Sequence, residues 1–168
     1  MNWNQEKKRV VRMSDNISEF ISEKNIVLDL NALNQVDAIK KLAILLKENG
    51  YIDDALAFQS DVLEREKAST TGIGNELAIP HGKSKHVIRT TMMFARNEEG
   101  IEWNSLDGSK VKNIFLMAVS SEDKGNEHLK MLATLSGELM DDDFVEAIKK
   151  ADSKEKILKI LQKRGNER

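Results

Sequence analysis

The chain has 168 residues, of which 40% are hydrophobic and 32% charged, and its 26 basic and 28 acidic side chains leave a formal charge of -2. This length fits one domain with one core, and the balanced charge argues against a general nucleic-acid binder, which usually carries a basic excess. The absence of cysteine excludes disulfides and thiolate chemistry within the chain. Without an apolar run of roughly 18 residues or a signal peptide, we expect a soluble, cytoplasmic protein that does not span a membrane.

The N-terminal segment is polar and mixed in charge, with Lys7, Lys8, Arg9 and Arg12 close together. Such a cluster is typical of a solvated arm or a frayed helix. The stretch "NIVLDL", residues 25–30, then predicts a short strand.

Two amphipathic helices are predicted after this strand. The first begins after Asn34, a plausible N-cap, and stops at Gly50. Its expected buried face consists of Val36, Ile39, Leu42, Ala43 and Leu46. The second occupies "DDALAFQSDVLEREK", residues 53–67.

The stretch "ASTTGIGNELAIPHGKSKHV", residues 68–87, is rich in small and turn-forming residues. We interpret it as a loop, a short strand at residues 77–79 and a second loop. Two strands are predicted beyond it, "TTMMFARN" and "NIFLMAVS", the second apolar enough to be buried on both faces. The pair Asp107 and Gly108 between them indicates a tight turn.

The C-terminal part predicts two more helices. The first, "NEHLKMLATLSGELM", has an expected core stripe of Leu129, Leu132, Leu135 and Leu139. The second, "DSKEKILKILQK", begins with a candidate capping box formed by Asp152 and Glu155. Because helices and strands alternate, the pattern favours an α/β fold with a mixed sheet.

Two nucleotide-binding patterns nearly occur around Gly82, but both fail at Leu77. A P-loop ending in "GKS" needs a glycine at that position, and so does a dinucleotide fingerprint that begins at Gly72. The neighbourhood still offers donors suited to a phosphoryl group without a nucleotide. These are the guanidinium of Arg65, the hydroxyls of Ser69, Thr70 and Thr71, and backbone N–H groups at Gly72, Gly74 and Gly82.

His81 directly follows Pro80, the only proline of the chain. A histidine can attack phosphorus through an unprotonated ring nitrogen, and the ordinary histidine pKa of about 6.5 leaves that form in the majority at neutral pH. Pro80 fixes its own φ and favours an extended Ile79, so it stiffens the chain before the ring. Gly82 lets a phosphate or another backbone come close. A turn histidine without a chemical role is the alternative.

The chain has two other histidines. His86 is expected to be a solvated surface residue. His128 lies in the first turn of a predicted helix, where the positive end of the helix dipole disfavours a protonated ring, so a neutral ring could donate a hydrogen bond to a phosphate. A zinc site made by all three histidines is a weaker alternative, because no compact ligand motif is present.

Taken together, "LEREKASTTGIGNELAIPHGK" and "NEHLKMLATLSGEL" make the chain resemble the fructose and mannitol type of enzyme IIA in the bacterial phosphoenolpyruvate-dependent sugar phosphotransferase system. The resemblance spans about residues 21–161 and includes the pair Arg65-Glu66. The stretch "EWNSLDG" also resembles the fructose branch. The resemblance implies one α/β domain, a mixed β-sheet flanked by helices, at residues 21–163, between an arm at 1–20 and a tail at 164–168.

In that family the histidine of "IPHGK" takes a phosphoryl group from phospho-HPr and passes it to a cysteine of the IIB unit, which acts with the membrane unit IIC. The resemblance therefore implies that His81 is phosphorylated, that His128 binds and orients the phosphoryl group, and that Arg65 compensates its charge. Neither a metal nor a cofactor is implied. Because this chain has no cysteine, the acceptor is expected on a separate IIB unit. A regulatory relative, of the nitrogen-linked type or a module of a regulator, is the alternative.

Overall fold

The computed structural model describes residues 17–123 and 126–166. The basic cluster predicted in the N-terminal arm lies outside these residues. The chain divides into two compact units: one is Lys24–Asp123, and the other combines the residues up to Glu23 with those from Lys124 onward. Among the helices of the described residues, none has the length and apolar character needed to cross a membrane.

The first unit is built on a mixed sheet of six strands, in the order β1-β5-β6-β3-β2, with β4 also paired to β6. The strands are β1 (Ile26–Leu30), β2 (Gly72–Gly74), β3 (Leu77–Ala78), β4 (His81–Ser84), β5 (Thr91–Ile101) and β6 (Val111–Ser120). β5 and β6 are antiparallel, whereas β1 is parallel to β5, and β3 and β4 are parallel to β6. The predicted α/β class with a mixed sheet is confirmed.

β3 and β4 pair with successive stretches of the same edge of β6 and are separated by Ile79 and Pro80. The carbonyl oxygen of Pro80 accepts a hydrogen bond from the Met117 amide at 3.0 Å, and His81 pairs with Met117 in the ladder. Proline has no N–H, so it interrupts the ladder without leaving an unpaired donor. The chain therefore reaches His81 already held against β6.

Two segments predicted as loops are strands. β2 lies in "TGIG" and β4 in "HGKS", so the prediction of loops on both sides of residues 77–79 was wrong. Both strands are short and rich in small residues, so they have no hydrophobic alternation of their own. Their extended form comes from pairing with β3 and β6, which a local pattern does not reveal.

Helices α1 (Gln35–Glu48) and α2 (Ala55–Ala68) complete the first unit. The predicted N-cap is confirmed, since the Asn34 side chain accepts a hydrogen bond from the Asp37 amide at 2.9 Å. Gly50 follows the helix with a φ of 81°, a left-handed conformation that suits glycine. The predicted buried face is correct except for Val36, which is half-exposed and lines an open cavity.

The core of the first unit joins both helices to the sheet. It includes Ile39 and Leu42 of α1, Phe58 and Val62 of α2, and Leu116 of β6, all of them buried. Burying side chains of this size stabilises a fold by about 1.5–3 kcal/mol each. This packing fixes α2 against the strand that begins with His81.

The second unit contains a 3-10 turn, Ile17–Phe20, and helices α3 (Glu127–Leu139), α4 (Asp142–Lys150) and α5 (Lys154–Asn166). A further 3-10 turn, Glu23–Asn25, leads into β1. The predicted stripe on α3 was rotated: Leu135 is buried, but Leu129 is exposed. The buried positions are Met131, Thr134, Leu135 and Glu138. Thr134 and Glu138 are polar, so a search for recurring hydrophobic residues does not find this buried face.

Two details at the ends of this unit differ from expectation. No element was predicted at residues 141–151, where α4 lies. At the start of α5 the side chain of Ser153 accepts a hydrogen bond from the Lys156 amide at 3.1 Å, so Ser153, rather than the predicted Asp152, is the N-cap. Ile17 is buried and its turn contacts α3 and α5, although it falls within the predicted arm.

Candidate functional site

His81 is the first residue of β4, and its side chain is half-buried. Its Nδ1 atom lies 3.0 Å from the carbonyl oxygen of Ile79. A carbonyl oxygen only accepts hydrogen bonds, so Nδ1 carries the proton in this contact. In the neutral ring the lone pair then resides on Nε2. This tautomer makes Nε2 the nitrogen that can attack an electrophile.

The position of Pro80 explains how the ring is oriented. The carbonyl group that receives His81 Nδ1 belongs to the Ile79–Pro80 amide, and Pro80 is the single residue between acceptor and ring. Its ring fixes φ, and its own carbonyl oxygen is bound to the Met117 amide. The backbone on which this hydrogen bond depends is therefore held rigidly.

Gly82 is needed for helix packing. A Cβ atom built at this buried position would lie 2.8 Å from Val62 Cγ2 and 3.3 Å from Phe58 Cε2, both on α2. We expected Gly82 to open space for a phosphate or a partner backbone, but the space that its missing side chain leaves is filled by α2. Gly82 thus brings α2 close to the strand that carries His81.

Arg65 lies in the last turn of α2, one turn beyond Val62. Its Nη1 atom donates to the carbonyl oxygen of Ser69 at 3.1 Å and to the Ser69 hydroxyl at 3.3 Å. The guanidinium therefore binds the chain that leaves the helix C-terminus, where a positive charge is favourable. Arg65 and Ser69 form one polar cluster at this end of α2.

The two threonine hydroxyls of the predicted phosphoryl-binding loop have partners within the protein. Thr70 donates from Oγ1 to the Trp103 carbonyl oxygen at 2.9 Å and accepts from the Gly72 amide at 3.1 Å. Thr71 is buried, and its Oγ1 accepts from Trp103 Nε1 at 3.3 Å. In this conformation both hydroxyls stabilise the loop.

Glu66 has a role that the sequence did not reveal. One carboxylate oxygen accepts from the Thr71 amide at 3.1 Å, and the other accepts from the Thr71 hydroxyl. The carboxylate of the Arg65-Glu66 pair thus binds the start of the segment that leads to His81. The sequence signal for this contact is the spacing: Thr71 follows Glu66 by five residues, just beyond the end of the helix.

His128 lies in the first turn of α3, as expected, and is half-buried. The N-cap residue of this helix, Asn126, has a left-handed φ of 56° and makes no side-chain capping hydrogen bond. His128 belongs to the second unit, whereas His81 and Arg65 belong to the first. Its predicted part in phosphoryl binding stays a prediction.

His86 is not a simply solvated residue. Its Nδ1 lies 2.9 Å from Asp53 Oδ1, and its side chain is only 26% exposed. Asp53 and His86 are also joined by a backbone hydrogen bond of 2.9 Å. His86 therefore fastens the turn after β4 to the segment before α2. Within residues 17–123 and 126–166, no three histidine, aspartate or glutamate side chains meet as a candidate metal site.

Asp107 supports the turn of "SLDG" and the β2–β3 connection. Its carboxylate accepts hydrogen bonds from the Asn75 and Ser109 amides, each at 2.9 Å. The Asn75 amide first, and then Ser109, lower the pKa of Asp107 to about 2. The turn itself closes through the Gly108 amide and the Ser105 carbonyl at 3.0 Å, in agreement with the predicted tight turn.

A cavity of about 440 Å³ lies beside the end of α2. Its lining includes Glu66, Ser69, Thr70 and Trp103, whereas His81 is not part of it. His81 thus lies outside this cavity, and its side chain is partly exposed.

The family model for "Phosphoenolpyruvate-dependent sugar phosphotransferase system, EIIA 2" matches residues 19–164. The chain belongs to this family. One family domain thus includes every residue that carries the earlier resemblance, and the predicted membership is confirmed. The curated relatives include fructose-specific and mannitol-specific IIA components of sugar phosphotransferase systems.

Two curated relatives are fructose-specific components. The EIIA component of Haloferax volcanii is 36% identical over 139 residues, which are 80% of this chain and 90% of the relative. The EIIABC component of Bacillus subtilis is 32% identical over 145 residues, which are 86% of this chain but only 23% of the relative. The chain thus spans less than a quarter of that longer protein.

The fold of this EIIA chain is also that of a solved relative. The crystal structure of the nitrogen regulatory protein IIA-Ntr from Neisseria meningitidis matches it with a TM-score of 0.78 and 29% identity. The match covers 86% of this chain and 98% of the other. The α/β architecture is therefore shared with a protein that is named as a nitrogen regulatory protein.

Proposed function

We propose that this EIIA protein is a cytoplasmic phosphohistidine carrier of sugar uptake. His81 accepts a phosphoryl group from phospho-HPr and passes it to a cysteine of a IIB unit that acts with a membrane IIC unit. Family membership supports the general phosphotransferase role. The single observation that carries the specific proposal is the contact between His81 Nδ1 and the Ile79 carbonyl oxygen, because it leaves the lone pair on Nε2.

The transfer balances without a base or a metal. Nε2 attacks phosphorus while the bond from phosphorus to its donor atom on HPr breaks, and no proton has to leave Nε2. The ring becomes cationic as the N–P bond forms, and the Ile79 carbonyl dipole stabilises this charge through the Nδ1 proton. In the second step a cysteine thiolate of the IIB unit attacks phosphorus, the N–P bond breaks, and its electron pair returns to Nε2, so the ring is neutral again.

Arg65 supplies positive charge to the transferred group in this proposal. It extends from the end of α2, the helix that packs on Gly82, and a guanidinium can bind two phosphoryl oxygens at once. His128 is assigned the orientation of the phosphoryl group on the strength of its motif. Among the loop residues, Ser69 at the helix end is favoured over Thr70 and Thr71, whose hydroxyls already have partners.

The acceptor cysteine lies outside this sequence, which contains none. A fructose-type system is favoured, because both relatives named above are fructose-specific components. The sugar itself contacts the membrane unit rather than this chain, so identity of the sugar is proposed from the relatives alone.

A regulatory role is the second candidate. It is favoured by the similarity to the nitrogen regulatory protein IIA-Ntr at 29% identity. In that case His81 is still phosphorylated, but the phosphorylated and unphosphorylated forms differ in which protein they bind. Loss of the phosphoryl group to a IIB protein supports transport; phosphorylation-dependent binding without transfer supports regulation.

The test is incubation with phosphoenolpyruvate, enzyme I and HPr, followed by intact-protein mass spectrometry. We expect one acid-labile phosphoryl group on the wild type and none on His81→Ala. His86→Ala is the matched control, because it removes an imidazole that binds Asp53, and it should be phosphorylated normally. An unmodified wild type, or a modified His81→Ala, contradicts the proposal.

A further inference from the structure

The Arg65-Glu66 pair contains a residue that the proposed function does not use. Glu66 lies in the last turn of α2, and its two carboxylate oxygens accept the two donors of Thr71, the amide and the hydroxyl. The Thr71 hydroxyl in turn accepts from Trp103 Nε1. All three polar groups are thus satisfied within one partly buried cluster.

This cluster continues to the histidine through the backbone. The carbonyl oxygen of Thr71 accepts from the Ile79 amide at 3.0 Å, and the carbonyl oxygen of Ile79 faces His81 Nδ1 at 3.0 Å. Glu66, Thr71, Ile79 and His81 therefore form a chain of consecutive hydrogen bonds. The contact with Glu66 fixes Thr71, whose carbonyl oxygen binds the Ile79 amide, and this bond fixes Ile79, whose carbonyl oxygen binds His81 Nδ1.

A carboxylate is the group that this arrangement requires. Both Thr71 contacts are donors, and an ionised carboxylate offers two oxygens that only accept. A glutamine offers one accepting oxygen and one donating nitrogen, so it can accept from only one of the two Thr71 donors, and its nitrogen would have to donate to the hydroxyl instead. The isosteric change from Glu66 to glutamine therefore removes one of the two hydrogen bonds that Thr71 donates, without removing volume.

We propose that Glu66 is a positioning residue for His81: through Thr71 and Ile79 it holds the carbonyl group that selects the tautomer with the lone pair on Nε2. Glu66 acts at a distance along the hydrogen-bond chain and does not touch the phosphoryl group. Its effect on phosphoryl transfer rests on the proposed function. Its effect on the tautomer does not, and can be measured in the unphosphorylated protein.

The experiment compares Glu66→Gln with Glu64→Gln in protein labelled with ¹⁵N in its histidine rings. Glu64 is the matched control, since it lies on the same helix, is exposed and pairs with Lys67 at 2.8 Å. Ring ¹⁵N shifts are read above the titration range of histidine. For the wild type and Glu64→Gln we expect His81 to carry its proton on Nδ1. For Glu66→Gln we expect a mixture of tautomers and a roughly tenfold slower phosphorylation by phospho-HPr.

Thr71→Val and Thr71→Ser provide a second pair of variants if Glu66→Gln does not fold. The valine removes the hydroxyl and should mix the tautomers, whereas the serine keeps it and should behave as the wild type. An unchanged His81 tautomer in folded Glu66→Gln or Thr71→Val overturns the inference. A tautomer that mixes as expected in a protein that phospho-HPr does not modify supports the positioning role and refutes the proposed function.

Discussion

The chemistry of the site depends on which nitrogen of His81 carries the proton. The sequence identified the ring and the proline before it, because both lie in one short motif. It did not identify the acceptor of Nδ1. That acceptor is the backbone carbonyl of Ile79, and every residue type has a backbone carbonyl, so the sequence does not indicate this contact. The partners of Thr71 were also hidden, because Trp103 is 32 residues away along the chain.

Arg65 is the residue whose charge should matter most to the transferred group. We expect Arg65→Ala to slow phosphorylation by phospho-HPr roughly 100-fold, the usual loss when one donor to a developing negative charge is removed. Arg65→Lys should recover part of the rate, because it keeps the charge but not the planar fork. Rapid-quench kinetics measure this.

Lys67→Ala is the control for this charge. Lys67 lies on the same helix and pairs with Glu64, so its removal changes the net charge equally. An Arg65→Ala protein as fast as Lys67→Ala would remove Arg65 from the site.

At the level of elements, pairing and packing decide what local patterns leave open. β1, most of β5, β6 and both helices of the first unit were predicted, the strands from short apolar stretches and the helices from apolar residues at helical spacing. β2 and β4 were not, since glycines replace the alternating side chains and the neighbouring β3 and β6 supply the hydrogen bonds. The stripe of α3 was misplaced because Thr134 and Glu138 occupy buried positions.

The contact between β4 and α2 predicts a specific defect. A Cβ atom in Gly82→Ala would meet Val62 Cγ2 at 2.8 Å, so we expect a loss of about 1–3 kcal/mol in the free energy of unfolding. Adding Val62→Ala should restore part of the stability that Gly82→Ala loses, although Val62→Ala alone is destabilising. Urea denaturation of the four proteins gives the coupling energy, and strictly additive effects would refute the contact.

The turn that Asp107 holds should depend on pH. Because its pKa is lowered to about 2 in the folded protein, its contribution to stability is complete above the ordinary aspartate pKa of about 3.9 and is lost as the pH falls through the folded value. Asp107→Asn should therefore lower the urea midpoint at pH 7, and the difference from wild type should narrow below pH 4. A difference independent of pH would exclude the carboxylate as its cause.

For the molecule as a whole, buried side chains lie at the start of the family domain. The family match starts at residue 19, and Ile17 and Ile21 are buried in the described part of the chain. The predicted boundary of the arm at residue 20 would therefore remove a buried side chain. The sequence did not reveal this, since a single isoleucine in a polar segment has no periodic partners.

Substitutions at the two isoleucines test this burial. Ile17→Ala and Ile21→Ala should each lose about 2–5 kcal/mol in the free energy of unfolding. Glu19→Ala, at an exposed position between them, is the control and should unfold as the wild type does. Thermal unfolding distinguishes the variants, and melting temperatures equal to that of Glu19→Ala would contradict the burial of the isoleucines.

The central claim, that His81 carries the phosphoryl group on Nε2, can be tested by one spectrum. Protein labelled with ¹⁵N in its histidine rings is phosphorylated with phosphoenolpyruvate, enzyme I and HPr, and the coupling between ³¹P and ¹⁵N is recorded. We predict a coupling to Nε2 of His81, with the proton still on Nδ1. A coupling to Nδ1, or to a ring of His86 or His128, would contradict the account.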